Sequence, residues 1–528
     1  MCMKNYHSIS IHADDEGSTI LDHRQHVKGC NPHPQDRLVP PFSSLQDEES
    51  ATTISSDRPS SLLVGTFNLI ATILGGGVLT LPIAFQKCGI TVTTIFMLVS
   101  AYFTHMSLMM LCYSSRRSGA SSFGEVVRSA YGERAEVGVN LILFVYCSFV
   151  VAAFMVLIRD IWTPLVGMFF GKTDDEDDNG GVSGDRVLMG FMLFLLPFLF
   201  QRSLHALKWN CYIGFASIII LCTALVRGGF QRQYTLHLGG AEEQDDVGTY
   251  VIEWFKVPSI QDALFAFPII MLAFLCQFNV LSIQNTLQRP TRKRMSQIVG
   301  ISVGTSMILM YLFGLGGYMM YGSGIQGNVL LNISVDKSAY ADESLYWMFF
   351  LGRVGSGMTI ALALPLSFLP GRDALLEIIG AWFKKKDTLK DDGIAAKHEI
   401  EEMEIQTLYC DDEFTNRTTT ASIRDQPIQQ DFFRNSILHY GSTVLIVTYC
   451  FIGATRVAGV ATIWSLVGSS LAFFIAFILP FASFIVIEKS VADRNDRLDG
   501  WIKLAKVMLA VSIVGAVVCT WNGLSSPV

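Results

Sequence analysis

Charge is scarce in this 528-residue chain: Asp, Glu, Lys and Arg together make up 16% of it, against about a quarter of an ordinary soluble protein. What charge there is leans acidic, 39 Lys and Arg against 46 Asp and Glu, and the formal net charge of −7 argues against a nucleic-acid partner. Paired cysteines are missing. Eleven cysteines are scattered, several inside apolar runs (Cys112, Cys147, Cys222, Cys276, Cys450), and none stands in a CxxC spacing, so neither a disulfide framework nor a metal site is expected. No nucleophile–base arrangement, metal-ligand set or phosphate loop is present either, which leaves enzyme chemistry without candidate residues and implies no cofactor. Residues 1–59 lack the charged-then-apolar pattern of a leader; they are polar, hold five histidines and several acids, and read as a disordered cytosolic tail.

What the chain has in abundance is apolar sequence, 51% of residues with a mean hydropathy of +0.40, gathered into long runs. Runs near 61–88, 90–112, 136–158, 187–205, 209–227, 260–283, 298–321, 343–370, 436–455, 458–487 and 500–522 give eleven expected membrane spans, each near the 20 or so residues a bilayer core requires. With no strand-period segments between them, the fold class is an all-α polytopic membrane protein, since lipid leaves backbone groups no partner outside a helix or a closed barrel. The expected organisation is a tail at 1–59, helices one to eight over 60–370, a charged mobile cytosolic loop over 371–435, and helices nine to eleven over 436–528. Arg116, Arg117, Arg128 and Arg134, then Arg289, Arg292, Lys293 and Arg294, fall in connections on one side, which puts the N-terminus in the cytosol and the C-terminus across the membrane. The sequon Asn332-Ile333-Ser334 then lies where glycosylation is possible. Phe123, Val126, Val127 and Ala130 recur at helical spacing and mark an amphipathic helix at the cytosolic interface.

Two spans contain residues a bilayer helix should not. In the first, SLLVGTFNLIATILGGGVLTLPIAFQKCG, three glycines (Gly75, Gly76, Gly77) interrupt the middle, preceded by Thr66, Asn68 and Thr72 and followed by Pro82. Each glycine costs a helix interior about 1 kcal/mol relative to alanine, so a discontinuous helix lining a substrate site is expected, with close helix packing on small residues as the alternative. Five spans later, Cys276-Gln277-Phe278-Asn279 follows Pro268, and this spacing matches transporters whose two repeats each carry a broken helix. Gln277 and Asn279 lie about 200° apart on a regular helix, so an unwound turn would let both amides face a cavity, whereas interhelical hydrogen bonds could absorb them instead. Opposed half-helix ends suit a zwitterion: the Gly76 and Gly77 amides for a carboxylate, and carbonyls near Thr66, Asn68 and Ala273 for an ammonium group. Tyr146, Phe149, Phe274, Phe278 and Met358 are the expected selectors of a neutral side chain. An amino acid is thus the expected small-molecule partner.

The segments FNLIATILGGGVLTLPIAFQKCG, SSFGEVVRSAYG, AFLCQFNVLSIQNTLQRPTRKRM and GRVGSGMTIALALPLSFLPGR, in this order, resemble the amino acid/auxin permease family, in particular its sodium-coupled neutral amino acid transporter branch. The resemblance covers about 61 to 522. It implies a five-plus-five inverted repeat with discontinuous first and sixth helices, an added eleventh span, and secondary active transport by alternating access. Sodium-coupled relatives hold the ion with an asparagine of span one and a threonine of span eight; the positions that match here are Ala71 and Ala361, without side-chain oxygens, and Thr359 lies about 200° round the helix from Ala361. A proton is therefore the expected coupling cation, with His105, Asp160, His205 and Asp262 as candidate carriers. Arg353, in span eight, is expected to be structural. Competing functions are an amino-acid-sensing receptor and a sodium-coupled or uncoupled exchanger, and the membrane is either the plasma membrane or that of a vacuole or lysosome.

Overall fold

A computed structural model describes residues 61–169, 183–200, 208–237, 252–288, 290–337, 340, 342–406, 428–457, 459–490 and 496–525. Every regular element among them is helical, and all lie within one unit, Ser55–Val528. Nine runs among the described residues are long and apolar enough to cross a membrane: Gly76–Ser118, Glu133–Phe169, Cys211–Thr235, Ile260–Thr286, Arg292–Gly324, Glu343–Gly380, Leu438–Arg456, Val460–Ser490 and Asp499–Gly523. The two other expected spans take different forms. The first is divided between α1 (Leu62–Ile73) and the start of the run at Gly76; the fourth is α5 (Gly184–Leu199), whose 16 residues reach about 24 Å, short of a core about 30 Å thick.

The expected boundary between spans one and two is no loop at all. Helix α2 (Leu81–Ser118) runs through it with one non-helical residue, Gly89, at φ 71° and ψ 175°. A Cβ there would sit 2.7 Å from Lys256 Cβ and 2.9 Å from the Glu253 carbonyl oxygen, so both the positive φ and the close approach require glycine. The approaching segment bonds to the corner: Ile90 N donates to the Glu253 carbonyl (3.4 Å), and Thr91 donates to the Trp254 carbonyl from its N (3.2 Å) and its Oγ1 (2.7 Å).

The amphipathic stretch forms α3 (Phe123–Tyr131), capped by Ser122, whose Oγ accepts from Glu125 N at 3.2 Å; Val126 and Val127 are its buried face. Beyond it, α4 (Glu133–Phe169) packs along α11 (Glu343–Gln406), and α6 (Lys208–His237) and α2 both pack on α9 (Arg292–Tyr321). Helix α11 does not stop where the charged loop was expected at 371 but continues to Gln406, and α12 begins at Ile428. The stretch 371–406 has no proline and is rich in Ala, Leu, Glu and Lys, so its charge does not prevent a helix. Residues 407–427 of that loop, like the tail 1–59, lie outside the described residues.

The tenth span changes winding. It runs as α13 (Val460–Val467), two π-helical turns at Gly468–Ala472 and Phe474–Ile478, then α14 (Leu479–Ser490). Pro480 has no N–H to give the carbonyl of Ala476; Ser107 Oγ of α2 donates to that carbonyl instead. Thr520 Oγ1, from α15 (Asp496–Ser525), donates to the Ser469 carbonyl at 3.1 Å.

Candidate functional site

Both helices expected to break do so. Helix α1 holds its last bond from Leu74 N to the Ile70 carbonyl (2.9 Å); Gly75 is extended at φ −79° and ψ −163°; and a 3₁₀ turn, Gly76–Thr80, starts at once. Val78 N donates to the Gly75 carbonyl at 3.2 Å, so Gly76 and Gly77 belong to a helical turn, and the unwound part is Leu74–Gly75, narrower than three consecutive glycines suggest. What demands glycine is close approach. A Cβ on Gly76 would lie 3.1 Å from both Leu157 Cδ1 and Phe154 Cε1, and one on Gly77 would lie 3.4 Å from the Cα of Ala273. As the first residues of their turn, Gly76 and Gly77 carry amides with no intrahelical acceptor.

Ala273 is the last residue of α7 (Ile260–Ala273), whose end tightens as Phe274 N and Leu275 N donate to the Met271 (3.3 Å) and Leu272 (3.0 Å) carbonyls. Helix α8 (Gln277–Thr286) starts four residues after Ala273. The positive end of one half-helix at Gly77 thus abuts the negative end of another at Ala273. The two amide side chains of this break do different work. Gln277 is fully buried, and its Oε1 accepts from Cys276 N at 3.0 Å, capping its own helix; Asn279 reaches across to α1, donating from Nδ2 to Thr72 Oγ1 at 3.2 Å. Thr72 Oγ1 in turn donates to the Asn68 carbonyl at 2.8 Å.

Beside the abutting ends lies a cavity of about 720 Å³. Of the expected substrate residues, its lining includes Thr72, Gly75, Gly76, Gly77, Tyr146, Ala273 and Asn279, with Phe278. Thr66, Asn68, Phe149, Phe274, Gln277 and Met358 are not in it. Thr66 and Asn68 sit inside α1, about two turns before the break; Thr66 Oγ1 bonds the Leu62 carbonyl (2.9 Å), and the Thr66 carbonyl accepts from Ser302 Oγ (3.1 Å). The carbonyls α1 leaves without a helical partner are those of Ala71 to Ile73. Phe274 is buried behind the break, Phe149 is half-buried, and Met358 is exposed.

The sequence reading missed the residues that close one end. Trp464 of α13 and Phe154 of α4 line the cavity edge-to-face, ring centroids 6.3 Å apart. An aromatic in a membrane span carries no mark of whether it faces lipid or a cavity, so no signal separated these two from their neighbours. The other end opens beside α3, where Ser122 to Glu125, Glu136, Asn140, Asp373 and Glu377 line the mouth. Asn140 Nδ2 donates to Glu377 Oε2 at 2.7 Å, and Glu136 lies 3.7 Å from Arg128. The lining among the described residues holds four carboxylates and no Lys, Arg or His.

Among residues raised for the coupling ion, Ala71 and Thr359 line the cavity; Ala361 is buried away from it. Thr359 Oγ1 donates to the Gly355 carbonyl at 2.8 Å, and Ser356, also on the lining, keeps its Oγ buried. Asp262 pairs with Lys87 Nζ at 3.0 Å and accepts from Ser259 Oγ at 2.7 Å; Asp160 lies 3.7 Å from Arg159 Nε. His105 is half-buried on α2 facing Gly300 of α9, and His205 lies outside the described residues. None of the three described ones, His105, Asp160 and Asp262, is on the cavity lining.

Putative sodium-coupled neutral amino acid transporter 10 of Xenopus laevis is 27% identical over 336 residues, covering 62% of this chain and 29% of that protein. Vacuolar amino acid transporter 7 of Saccharomyces cerevisiae is 25% identical over 326 residues, covering 61% of this chain and 60% of that one. The chain thus spans less than two thirds of either relative. Among solved structures, Mhp1, a nucleobase-cation-symport-1 family transporter in a closed conformation with bromovinylhydantoin bound, superposes with a TM-score of 0.51 at 13% identity, over 89% of this chain and 91% of Mhp1, a likeness of fold alone. Residues 58–524 match the model of the transmembrane amino acid transporter proteins, and the chain belongs to that family.

Proposed function

We propose that this protein moves neutral L-amino acids across a membrane as a secondary transporter that alternates access to the cavity between its two broken helices. The observation that carries the reading is the abutment of the Gly76–Gly77 turn on Ala273 beside a cavity open at one end. A carboxylate takes the unbonded amides at Gly76 and Gly77; an ammonium group takes the carbonyls ending α1 and α7; Tyr146, Phe278, Phe154 and Trp464 receive an apolar side chain. Such a site holds both charges of a zwitterion without a buried ion pair and its desolvation cost. On the reading that the N-terminus is cytosolic, α3 and the cavity mouth face the cytosol, and Phe154 and Trp464 shut the chain outward. The membrane is the plasma membrane or a vacuolar or lysosomal one.

Purified protein in proteoliposomes should accumulate radiolabelled neutral amino acids. Saturable binding without any flux would leave the receptor reading standing instead. The driving cation has two forms. Ala71 on the cavity removes one oxygen ligand and favours a proton; Thr359 on the cavity supplies one and favours sodium. We retain the proton, because a sodium site would then rest on one hydroxyl and main-chain carbonyls. Accumulation driven by an imposed pH gradient in choline medium, and abolished by a protonophore, is the expected result; uptake that requires sodium and ignores the pH gradient refutes it.

A further inference from the structure

The segment preceding α7, Ile252 to Ser259, is a strap laid over the corner between the first two spans, and its two sides differ in chemistry. Several of its polar atoms are bonded to the corner and its neighbours. The Glu253 and Trp254 carbonyls accept from Ile90 and Thr91, Glu253 N donates to the Tyr318 hydroxyl (3.2 Å), and Lys256 Nζ bonds the Gln86 carbonyl (3.2 Å) and Glu253 (3.1 Å). Its large apolar side chains turn outward: Trp254 is 61% exposed, Phe255 84%, Val257 92%, and Ile260, the first residue of α7, 79%. Water alone does not account for a segment bonded to its neighbours at Glu253, Trp254 and Lys256 that exposes four large apolar side chains within seven residues.

We propose that this strap is an interfacial anchor that lays Trp254, Phe255 and Val257 into the bilayer surface. Continuity with the lipid-facing wall identifies the occupant. On α2, Thr91, Ile95, Leu98 and Tyr102 form one stripe at helical spacing, the last three exposed, and the strap is hydrogen-bonded to the residue where that stripe begins. The strap therefore sits at the level where the membrane helices end, the depth at which tryptophan prefers the headgroup boundary. The charges flanking Trp254, Phe255 and Val257, on Glu253 and Lys256, neutralise each other in an ion pair, and Lys256 is drawn to the Gln86 carbonyl.

The test uses the full chain in phosphatidylcholine proteoliposomes. With Phe255 replaced by p-benzoyl-phenylalanine, irradiation should yield a lipid adduct, and shallow brominated lipid should quench a tryptophan emission component that Trp254→Phe removes. Aqueous iodide quenching that component in place of the brominated lipid would overturn the proposal. So would an adduct to a second protein chain or to another segment of this one, since either means that protein covers the strap.

Discussion

The contact at Gly76 can be tested by one methyl group. Gly76→Ala places a Cβ 3.1 Å from Leu157 Cδ1 and from Phe154 Cε1, a few tenths of an ångström inside ordinary van der Waals contact. Both neighbours are buried, and Phe154 is held edge-on by Trp464, so neither ring nor methyl is free to swing away. Overpacking of this kind costs about 1–3 kcal/mol, and under the alternating-access proposal, in which this contact belongs to the shut state, it should shift the open–shut balance by about 5- to 140-fold. Uptake should fall correspondingly in protein that is inserted at normal levels, and Gly76→Val should abolish it. The decisive arm is the double variant. Leu157→Val retracts one of the two touching carbons, so Gly76→Ala/Leu157→Val should recover part of the loss, a coupling that a double-mutant cycle reads directly. Losses that merely add, or a Gly76→Ala protein with unchanged uptake, would refute the assignment of this glycine to a closure contact.

Four further outcomes are expected. Thr72→Val and Asn279→Leu each remove the same cross-helix hydrogen bond, worth about 0.5–1.5 kcal/mol, so the pair should lose no more thermal stability than either alone. Arg353, 2% exposed, donates from Nη2 to the carbonyls of Leu330 and of Ile333 (3.1 Å); Arg353→Met should lower stability by about 1.5–3 kcal/mol, and a melting temperature that does not move would contradict this capping role. Asn332 should stay unglycosylated despite its sequon, because its Nδ2 bonds the Gly324 carbonyl (2.8 Å) and its Oδ1 accepts from Gln326 N (2.9 Å); a mobility shift on peptide-N-glycosidase treatment would show otherwise. The Ser121 N–H and hydroxyl hold the Glu125 carboxyl below the usual range. Its contribution to α3 is therefore present above the unfolded value of about 4.3 and lost only as pH falls through the lower folded one; hydrogen exchange at Val126 should stay slow at pH 5, and loosening there would oppose the assignment.

The two breaks were legible because their residues are costly in a bilayer helix: Gly75 to Gly77 in one, Gln277 with Asn279 in the other. Which atoms the breaks free was not. Helical bonding resumes at Gly76 through the Gly75 carbonyl, and Gln277 folds back on Cys276 N, choices set by local hydrogen bonding that the residue pattern leaves open. Composition likewise concealed the helix running from Glu343 to Gln406, because hydropathy marks where a span leaves the membrane and not where its helix ends. The fusion of spans one and two rests on a single φ at Gly89, and nothing in Lys87-Cys88-Gly89-Ile90 distinguishes a one-residue corner from a short loop.

That corner makes the first two spans a crankshaft. Most helical hairpins have a loop whose slack lets one arm move while the other stays still; here the arm 76–88, which bears Gly76 and Gly77, and the arm 90–118 meet at the one bend at Gly89, held by the strap at Glu253 and Trp254. Tilting the short arm must swing the long one. The far end of α2, at Ser118, lies next to the α3 segment that lines the cavity mouth, and Ser115 Oγ donates to the Ala120 carbonyl (2.7 Å) just before it. The two ends of the cavity lining, at Gly76–Gly77 and at the rim, are thereby joined through one chain segment whose single departure from helix is Gly89.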